Sequence, residues 1–250
     1  MSGKEKRAFD PLRFFAKLKR SVRKRVLFRK FGEVWNAKSA FQNRRYDSYE
    51  AYLEHQKAKL ETHDFANYDI EFRTALRKRL AALDVAWQGR TVLCLAARIG
   101  TEVKAFLDLG CFAIGIDLNP GKENRYVVQG DFHDLQFAPK SVDVVYTNSL
   151  DHAFDIDRIA REVLKVLKPD GLLIVEAVQG RDQGVTPGFF ESFFWSNIDE
   201  LIGVFETAGF KVTRRTPMTH PWPGEAICFQ PNIAPGPGAA RQAGHPERNE

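Results

Sequence analysis

"TVLCLAARIGTEVKAFLDLGCFAIGID", residues 91–117, decides how the chain is read. A short apolar run from Thr91 to Leu95 gives way to a turn around Gly100. A helical pattern then runs to Gly110, and a second apolar run, Phe112 to Ile116, ends on Asp117. Continuous apolar runs of this length, joined through a helix, suit parallel strands covered on both faces. Ligands of such sheets bind outside the carboxyl ends of the strands, where the strand order reverses. The turn at such a site is commonly built on glycines, which reach positive φ and let backbone approach a ligand. This turn keeps only Gly100, with Ala96 and Arg98 before it.

The same alternation continues. "RYVVQGD" reads as a third strand and "SVDVVYTN" as a fourth. "DIDRIAREVLKVLKPDG" reads as a helix closed by Lys168-Pro169 and Gly171, followed by a fifth strand, "GLLIVEA". After a further helix, "NIDELIGVFETAGF", come "KVTRRT" and "EAICFQ". Only the loop "PMTHPWPG" joins these last two, so they are expected as an antiparallel pair at one edge.

The 250 residues, 44% of them hydrophobic, suffice for one main core with an extension. Four zones are expected: a basic arm over 1–31, a helical extension over 43–83, the main domain over 84–230 and a disordered tail over 231–250. The tail, "PNIAPGPGAARQAGHPERNE", has almost no apolar bulk. No apolar run is long enough to span a membrane and no signal-peptide pattern is present. Cys94, Cys111 and Cys228 lie far apart in apolar surroundings. They read as buried free thiols of a reducing, cytoplasmic protein rather than as a disulfide or metal set.

Four strand ends then line up as a candidate site: "AARIG", Asp117, "GDFHDL" and "NSLDHAFD". From about Tyr68 to Gln230 the chain resembles the class I S-adenosylmethionine-dependent methyltransferases of the type 11 group. The strongest match is "GDFHDLQFAPKSVDVVYTNSLDHAFDIDRIAREVLKVLKPDGLLIVE", with "IGIDLNPG" as the second-strand motif. The resemblance implies a Rossmann-like, seven-stranded, mostly parallel α/β sheet. It would have an antiparallel edge hairpin, helices on both faces and a helical N-terminal extension.

It also implies S-adenosylmethionine as cofactor. Asp117 would hold the ribose hydroxyls, and Leu118 would lie against the adenine. Asp131 would accept from the adenine amino group, with Phe132 flanking the ring. Asn148 and Ser149 would border the methyl group, and Ala96 to Gly100 would pass under the methionine part. The family usually reads Val-Leu-Asp-Leu-Gly-x-Gly-x-Gly; here Cys94 replaces the acid and Ala96 and Arg98 replace two glycines. Alanine for the first glycine is mild if φ is negative there. Arg98 is either a strained substitution or a guanidinium placed to bind the cofactor's carboxylate. Glu102 either replaces the lost acid or complements the helix dipole.

An alcohol or phenol acceptor needs a base. Asp151 and His152 are the catalytic candidates, with His133 a further one; His152 could equally be a packing residue. No metal is expected, because His133, Asp131 and Asp134 lack further ligands at a usual spacing. "FFESFFW", residues 189–195, reads either as an aromatic lid or as core filling.

Residues 1–30 hold 12 Lys/Arg and 2 Asp/Glu, leaving 25 basic and 30 acidic residues in the remainder. The basic character belongs to the arm. As a helix it would gather Leu12, Phe15, Leu18, Val22 and Val26 on one side and basic residues on the other, which suits an anionic membrane surface. Docking on the acidic domain and a nucleic-acid contact are the competing uses; no RNA-binding module accompanies the arm. The expected function is methylation, chiefly O-methylation, of a small-molecule or glycan/lipid-linked acceptor by a cytoplasmic protein, peripheral at the inner membrane face if the arm binds lipid. The alternative is a binding or regulatory protein that keeps the fold without catalysis. The domain is expected to fold without residues 1–31.

Overall fold

The computed structural model describes residues 11–32, 34–38, 40–62 and 66–232. The expected tail therefore lies outside the described residues beyond Asn232, as do the first ten residues of the arm.

A seven-stranded sheet forms the centre. Five parallel strands are β3 (Thr91–Leu95), β4 (Phe112–Asp117), β5 (Val127–Gln129), β6 (Val142–Thr147) and β7 (Leu167–Val178). The hairpin of β9 (Phe210–Met218) and β10 (Gly224–Pro231) completes it, in the order β5-β4-β3-β6-β7-β10-β9. Strand β10 runs antiparallel to both neighbours, so the expected edge hairpin is present. The order reverses at β3: the chain steps outward to β4 and β5, then crosses back to β6 on the other side. That switch point fixes where the site must lie.

Both faces are covered. Helices α6 (Ile156–Val166) and α7 (Ile198–Thr207) pack Ile159, Val163, Leu201 and Phe205 onto one face. Asp155 starts α6 by accepting the N–H of Arg158, and Asn197 does the same for Glu200 in α7. On the other face α4 (Ala66–Ala81) and α5 (Thr101–Leu107) contribute Phe72, Leu76, Leu80, Val103 and Phe106. A buried bidentate pair ties α4 to the sheet: Arg79 meets both oxygens of Glu176 at 2.7 Å. The three cysteines are free and buried.

The N-terminal extension is more than helical. Helix α1 (Pro11–Phe31) leads into strands β1 (Trp35–Lys38) and β2 (Phe41–Arg44), then helices α2 (Tyr49–Lys57) and α3 (Lys59–Thr62). Strand β2 also pairs with β8 (Phe193–Trp195), making a second, three-stranded sheet. Arg44 anchors this region. Its guanidinium donates to the carbonyls of Gly32, Glu191 and Gly188.

The arm is joined to this body. Leu27 is buried in a cluster with Ala58, Phe189 and Phe190, Phe28 stacks on Phe189, and Phe31 lies against His55. The last turn and a half of α1 thus packs against Ala58, His55, Phe189 and Phe190. The preceding turns differ: Phe15, Leu18, Val22 and Val26 are all at least half exposed. Among the described residues no helix is long and apolar enough to cross a membrane.

Candidate active site

Two adjoining cavities open at the carboxyl ends of the parallel strands. The smaller, about 40 Å³, is lined by Asp117, Leu118, Asn119, Gly130 and Phe132 from the strand ends. Tyr52, Gln56, Lys57, Lys59 and Leu60 of the extension roof it. The larger, about 490 Å³, is bordered by Arg98, Glu102, Asn148, Ser149 and Asp151. Its walls are aromatic, with Tyr68, Phe189, Phe190, Phe194, Trp195 and Trp222. Lys59, Ala96, Arg98 and His152 belong to both cavities and mark where they meet.

The turn after β3 keeps the backbone of a glycine loop without its glycines. Ala96 has φ +52°, Arg98 +44° and Gly100 +80°. All three lie in the left-handed region, where a Cβ costs on the order of 1–2 kcal/mol per residue. The Ala96 substitution is thus not the mild one expected, because its φ is positive. Gly100 could not be replaced in the same way: a Cβ there would stand 2.6 Å from Tyr126 Cβ. The strained turn is held by Asp117, whose carboxylate accepts the N–H of Arg98 at 3.0 Å and that of Asn119 at 2.8 Å. Each oxygen retains a lone pair for a further donor.

Glu102, in the first turn of α5, is buried and lines the larger cavity. It accepts from Asn148 Nδ2 at 3.2 Å, and Asn148 Nδ2 also reaches Tyr68 Oη at 3.4 Å. Burial pushes the Glu102 carboxyl up to about 7, against the opposing pull of Arg98 and Asn148.

Asp131 stands between Gly130 and Phe132 of the smaller cavity's wall but is not itself among the lining residues of either cavity. One oxygen accepts the His133 N–H at 2.9 Å and meets His133 Nδ1 at 2.8 Å; the other accepts the Tyr49 hydroxyl. These bonds hold its carboxyl below the usual range even though burial acts the other way. His133 is likewise committed, its Nε2 accepting the N–H groups of Phe154 and Asp155 at 3.1 and 3.2 Å. His133 is buried, whereas about a fifth of the Asp131 side chain is exposed.

Asp151 and His152 sit on a short 3-10 turn after β6, Leu150–His152. Their side chains differ in availability. His152 Nδ1 lies 2.8 Å from the Phe190 carbonyl, which requires an N–H there, so Nε2 carries the lone pair. That lone pair faces Lys59 Nζ at 2.5 Å. Burial, followed by the charges of Lys59 and Arg98, keeps the imidazole neutral, its pKa well below the ordinary histidine value. His152 therefore positions Lys59. Asp151 faces the cavity, and burial together with Glu191 raises its carboxyl well above the carboxylate range. Asp151, His152 and Glu191 each bring one ligand-type atom within 4.8 Å of the others, yet both imidazole nitrogens are already engaged.

Two polar atoms on the larger cavity have no hydrogen-bond partner: Glu191 Oε2 and Trp222 Nε1. Buried polar atoms are seldom left so unless something else binds there. With a carboxylate at each end and apolar flanks at Leu118 and Phe132, this donor and acceptor set fits a nucleoside linked to an amino acid. "FFESFFW" divides between its two readings: Phe189, Phe190, Phe194 and Trp195 line the cavity, while Phe193 and Trp195 belong to the main core.

Sequence reasoning missed Lys59, Tyr49, Tyr52 and Glu191. Nothing local in "HQKAKLE" marks one lysine from its neighbours. The two short runs "VWNAK" and "FQNR", only two residues apart, were the available signal for the hairpin of β1 and β2.

The strand order, the switch point and this cavity define the class I S-adenosylmethionine-dependent methyltransferase fold. Residues 93–175 match the family described as a methyltransferase domain. The demethylmenaquinone methyltransferase of Thermobifida fusca (strain YX) is 36% identical over 110 residues. That match covers 38% of this chain and 46% of the relative, so the chain spans about half the length of its curated relative. Among solved structures, Burkholderia thailandensis 1,6-didemethyltoxoflavin-N1-methyltransferase superposes with a TM-score of 0.57 at 16% identity. The match covers 81% of this chain and 100% of that one. A chain from the complex of the Haloferax volcanii Trm112 methyltransferase activator with a methyltransferase gives 0.55 at 19%, over 72% and 98%. At these identities the likeness is one of fold.

Proposed function

We propose that the protein transfers a methyl group from S-adenosylmethionine to an oxygen of a small-molecule acceptor. The observation that carries this reading is the pair of joined cavities at the switch point, with Asp117 at one end and Asp151 at the other. When bound, S-adenosylmethionine supplies an electrophilic methyl group whose sulfur leaves without needing a proton. The chain's own residues hold the reactants, exclude water and take the acceptor's proton. Asp117 would hold the ribose hydroxyls, Leu118 and Phe132 would flank the adenine, and Arg98 and Glu102 would take the carboxylate and ammonium of the methionine part. Ala96 forms the floor beneath it, with Gly100 shaping the turn behind, and Asn148 and Ser149 border the transferred methyl. Asp151 is the base.

Calorimetric titration with S-adenosylhomocysteine tests the cofactor half, and transfer of labelled methyl from S-adenosylmethionine to a panel of hydroxyl compounds tests the other. Saturable binding with transfer to oxygen supports the reading. Binding without transfer to any hydroxyl favours a role as a binding or regulatory protein instead.

We also propose that α1 brings the protein to an anionic membrane surface at the inner, cytoplasmic face. The exposed Phe15, Leu18, Val22 and Val26 beside Lys19, Arg23 and Lys24 support this. Substituting Phe15, Leu18 and Val22 with serine together leaves the packed end at Leu27 intact. The triple variant should no longer sediment with phosphatidylserine vesicles. Equal sedimentation of variant and native chain would contradict the proposal.

A further inference from the structure

We propose that the larger cavity takes a flat aromatic acceptor with two neighbouring hydroxyls, one facing Asp151 and the other donating to Glu191, so that Glu191 sets which acceptor is used. This rests on the methyltransferase reading and narrows it to one substrate class.

Glu191 is the first support. Its Oε2 is buried without a hydrogen-bond partner, on a residue that lines the larger cavity. The surrounding segment is built to hold it there. Arg44 donates to the carbonyls of Glu191 and Gly188, at 2.9 and 3.2 Å, which fixes the backbone ahead of β8. Gly188 leaves room for the carboxylate, since a Cβ on it would stand 2.5 Å from Glu191 Oε2. A carboxylate oxygen accepts, so the missing partner is a donor.

The spacing to Asp151 is the second support. Asp151 and Glu191 each bring one carboxyl oxygen within 4.8 Å of the other's. His152 is the third member of that group, and both its nitrogens are engaged, which leaves two carboxyls rather than a metal set. Hydroxyls on adjacent ring carbons reach two acceptors at this spacing. A lone hydroxyl serves one of them, and hydroxyls on opposite sides of a ring system point apart.

The walls are the third support. Phe189, Phe190, Phe194, Trp195 and Trp222 line the cavity, and flat apolar walls favour a flat ring. Trp222 is set from outside: its ring stacks on Phe72 with centroids 5.6 Å apart, and Arg79 donates to the His220 carbonyl at 3.0 Å, two residues before it. Its Nε1, also without a partner, offers a donor to an oxygen on the bound ring. A cationic ligand would meet Lys24 and Arg98 on the same walls. A sugar would press several hydroxyls against apolar surface, where each unpaired one is costly.

The chemistry balances. The O–H bond of the reacting hydroxyl breaks, its proton passes to the Asp151 carboxylate, and the electron pair left on oxygen makes the new C–O bond. The C–S pair returns to sulfur. The second hydroxyl keeps its proton and donates it to Glu191 throughout, so it holds the ring in one register against the methyl group.

The probes are 2,3-dihydroxynaphthalene, 2,7-dihydroxynaphthalene, 2-naphthol and methyl α-D-glucopyranoside. Each is titrated calorimetrically into the full chain under nitrogen, with and without S-adenosylhomocysteine. The 2,3-diol should bind about tenfold or more tightly than the 2,7-diol and 2-naphthol, because only it gives both carboxyls a donor. In Glu191→Ala the three naphthalenes should bind alike, while Glu191→Gln, whose amide oxygen still accepts, should keep part of the preference. If Glu191→Ala does not fold by circular dichroism, the ratio between the two diols in the native chain and in Glu191→Gln decides the matter. Equal affinity for the two diols, no binding of the 2,3-diol, tighter binding of the glucoside, or an unchanged preference in folded Glu191→Ala would overturn the assignment. Binding of S-adenosylhomocysteine is measured in the same samples. If it binds while the preference is missing, only the acceptor assignment fails; if it does not bind, the methyltransferase reading itself fails.

Discussion

Asp117 and Asp131 end two neighbouring parallel strands, β4 and β5, and look equivalent in the sequence. The structure gives them opposite surroundings. Asp117 lies on the cavity wall and braces the turn after β3 through the Arg98 N–H. Asp131 turns to the extension, where the Tyr49 hydroxyl and His133 occupy both its oxygens. A strand-end position places a carboxylate near a site; the elements packed above it decide whether the carboxylate serves a ligand or the fold. Here Tyr49 of helix α2 bonds Asp131, and no side chain of α2 bonds Asp117 among the described contacts.

The largest expected effect is on cofactor affinity. Asp117→Ala should weaken S-adenosylhomocysteine binding by roughly ten- to a hundredfold, since hydrogen bonds to a charged group contribute about 1.5–3 kcal/mol. The carboxyl of Glu102 sharpens the contrast by its pH dependence. With its pKa raised to about 7, it is protonated below that pH and ionised above it. Only the ionised form attracts the ligand's ammonium, so affinity should rise about tenfold between pH 6 and 8. In Glu102→Gln the slope should flatten, as calorimetry across pH would show.

Arg98 should give a smaller and divided result. Arg98→Gly should raise thermal stability by about 1 kcal/mol, through relief of its left-handed backbone, and lower affinity several-fold. Arg98→Lys should keep part of the affinity and none of the stability gain. If Arg98→Gly binds as well as the native chain, the guanidinium is no ligand. The smallest effect on binding is expected from Tyr49→Phe. It should leave affinity within about threefold while lowering stability by about 1–2 kcal/mol in urea denaturation, because the Asp131 carboxylate loses a donor.

The central sheet was legible because its strands are short apolar runs with a helix between half of the consecutive pairs, and the edge hairpin because only a loop joins its strands. The strand-end stretches followed from that order, while Leu118, Phe132, Asn148 and Ser149 came from the family resemblance. What stayed hidden depends on tertiary contact. The φ of Ala96 and Arg98 is set by the fold of the turn and not by the residues, which would relax if free. The direction of Asp131 is set by Tyr49, 82 positions away. Lys59 enters the site only because β2 pairs with β8 and Arg44 ties the extension to the carbonyls of Gly32, Gly188 and Glu191. The roof of the smaller cavity is likewise built by α2 and α3, which no local pattern in "AYLEHQKAKLE" announces.

The most direct measurement sets the two aspartates side by side. S-adenosylhomocysteine is titrated calorimetrically into the native chain, Asp117→Ala and Asp131→Ala, each confirmed folded by circular dichroism. The native chain should bind saturably and Asp131→Ala should stay within about threefold of it, with its loss appearing instead as a lower melting temperature. Asp117→Ala should lose about tenfold or more. Equal losses in the two variants, or a larger loss in Asp131→Ala, would contradict the division of roles between them.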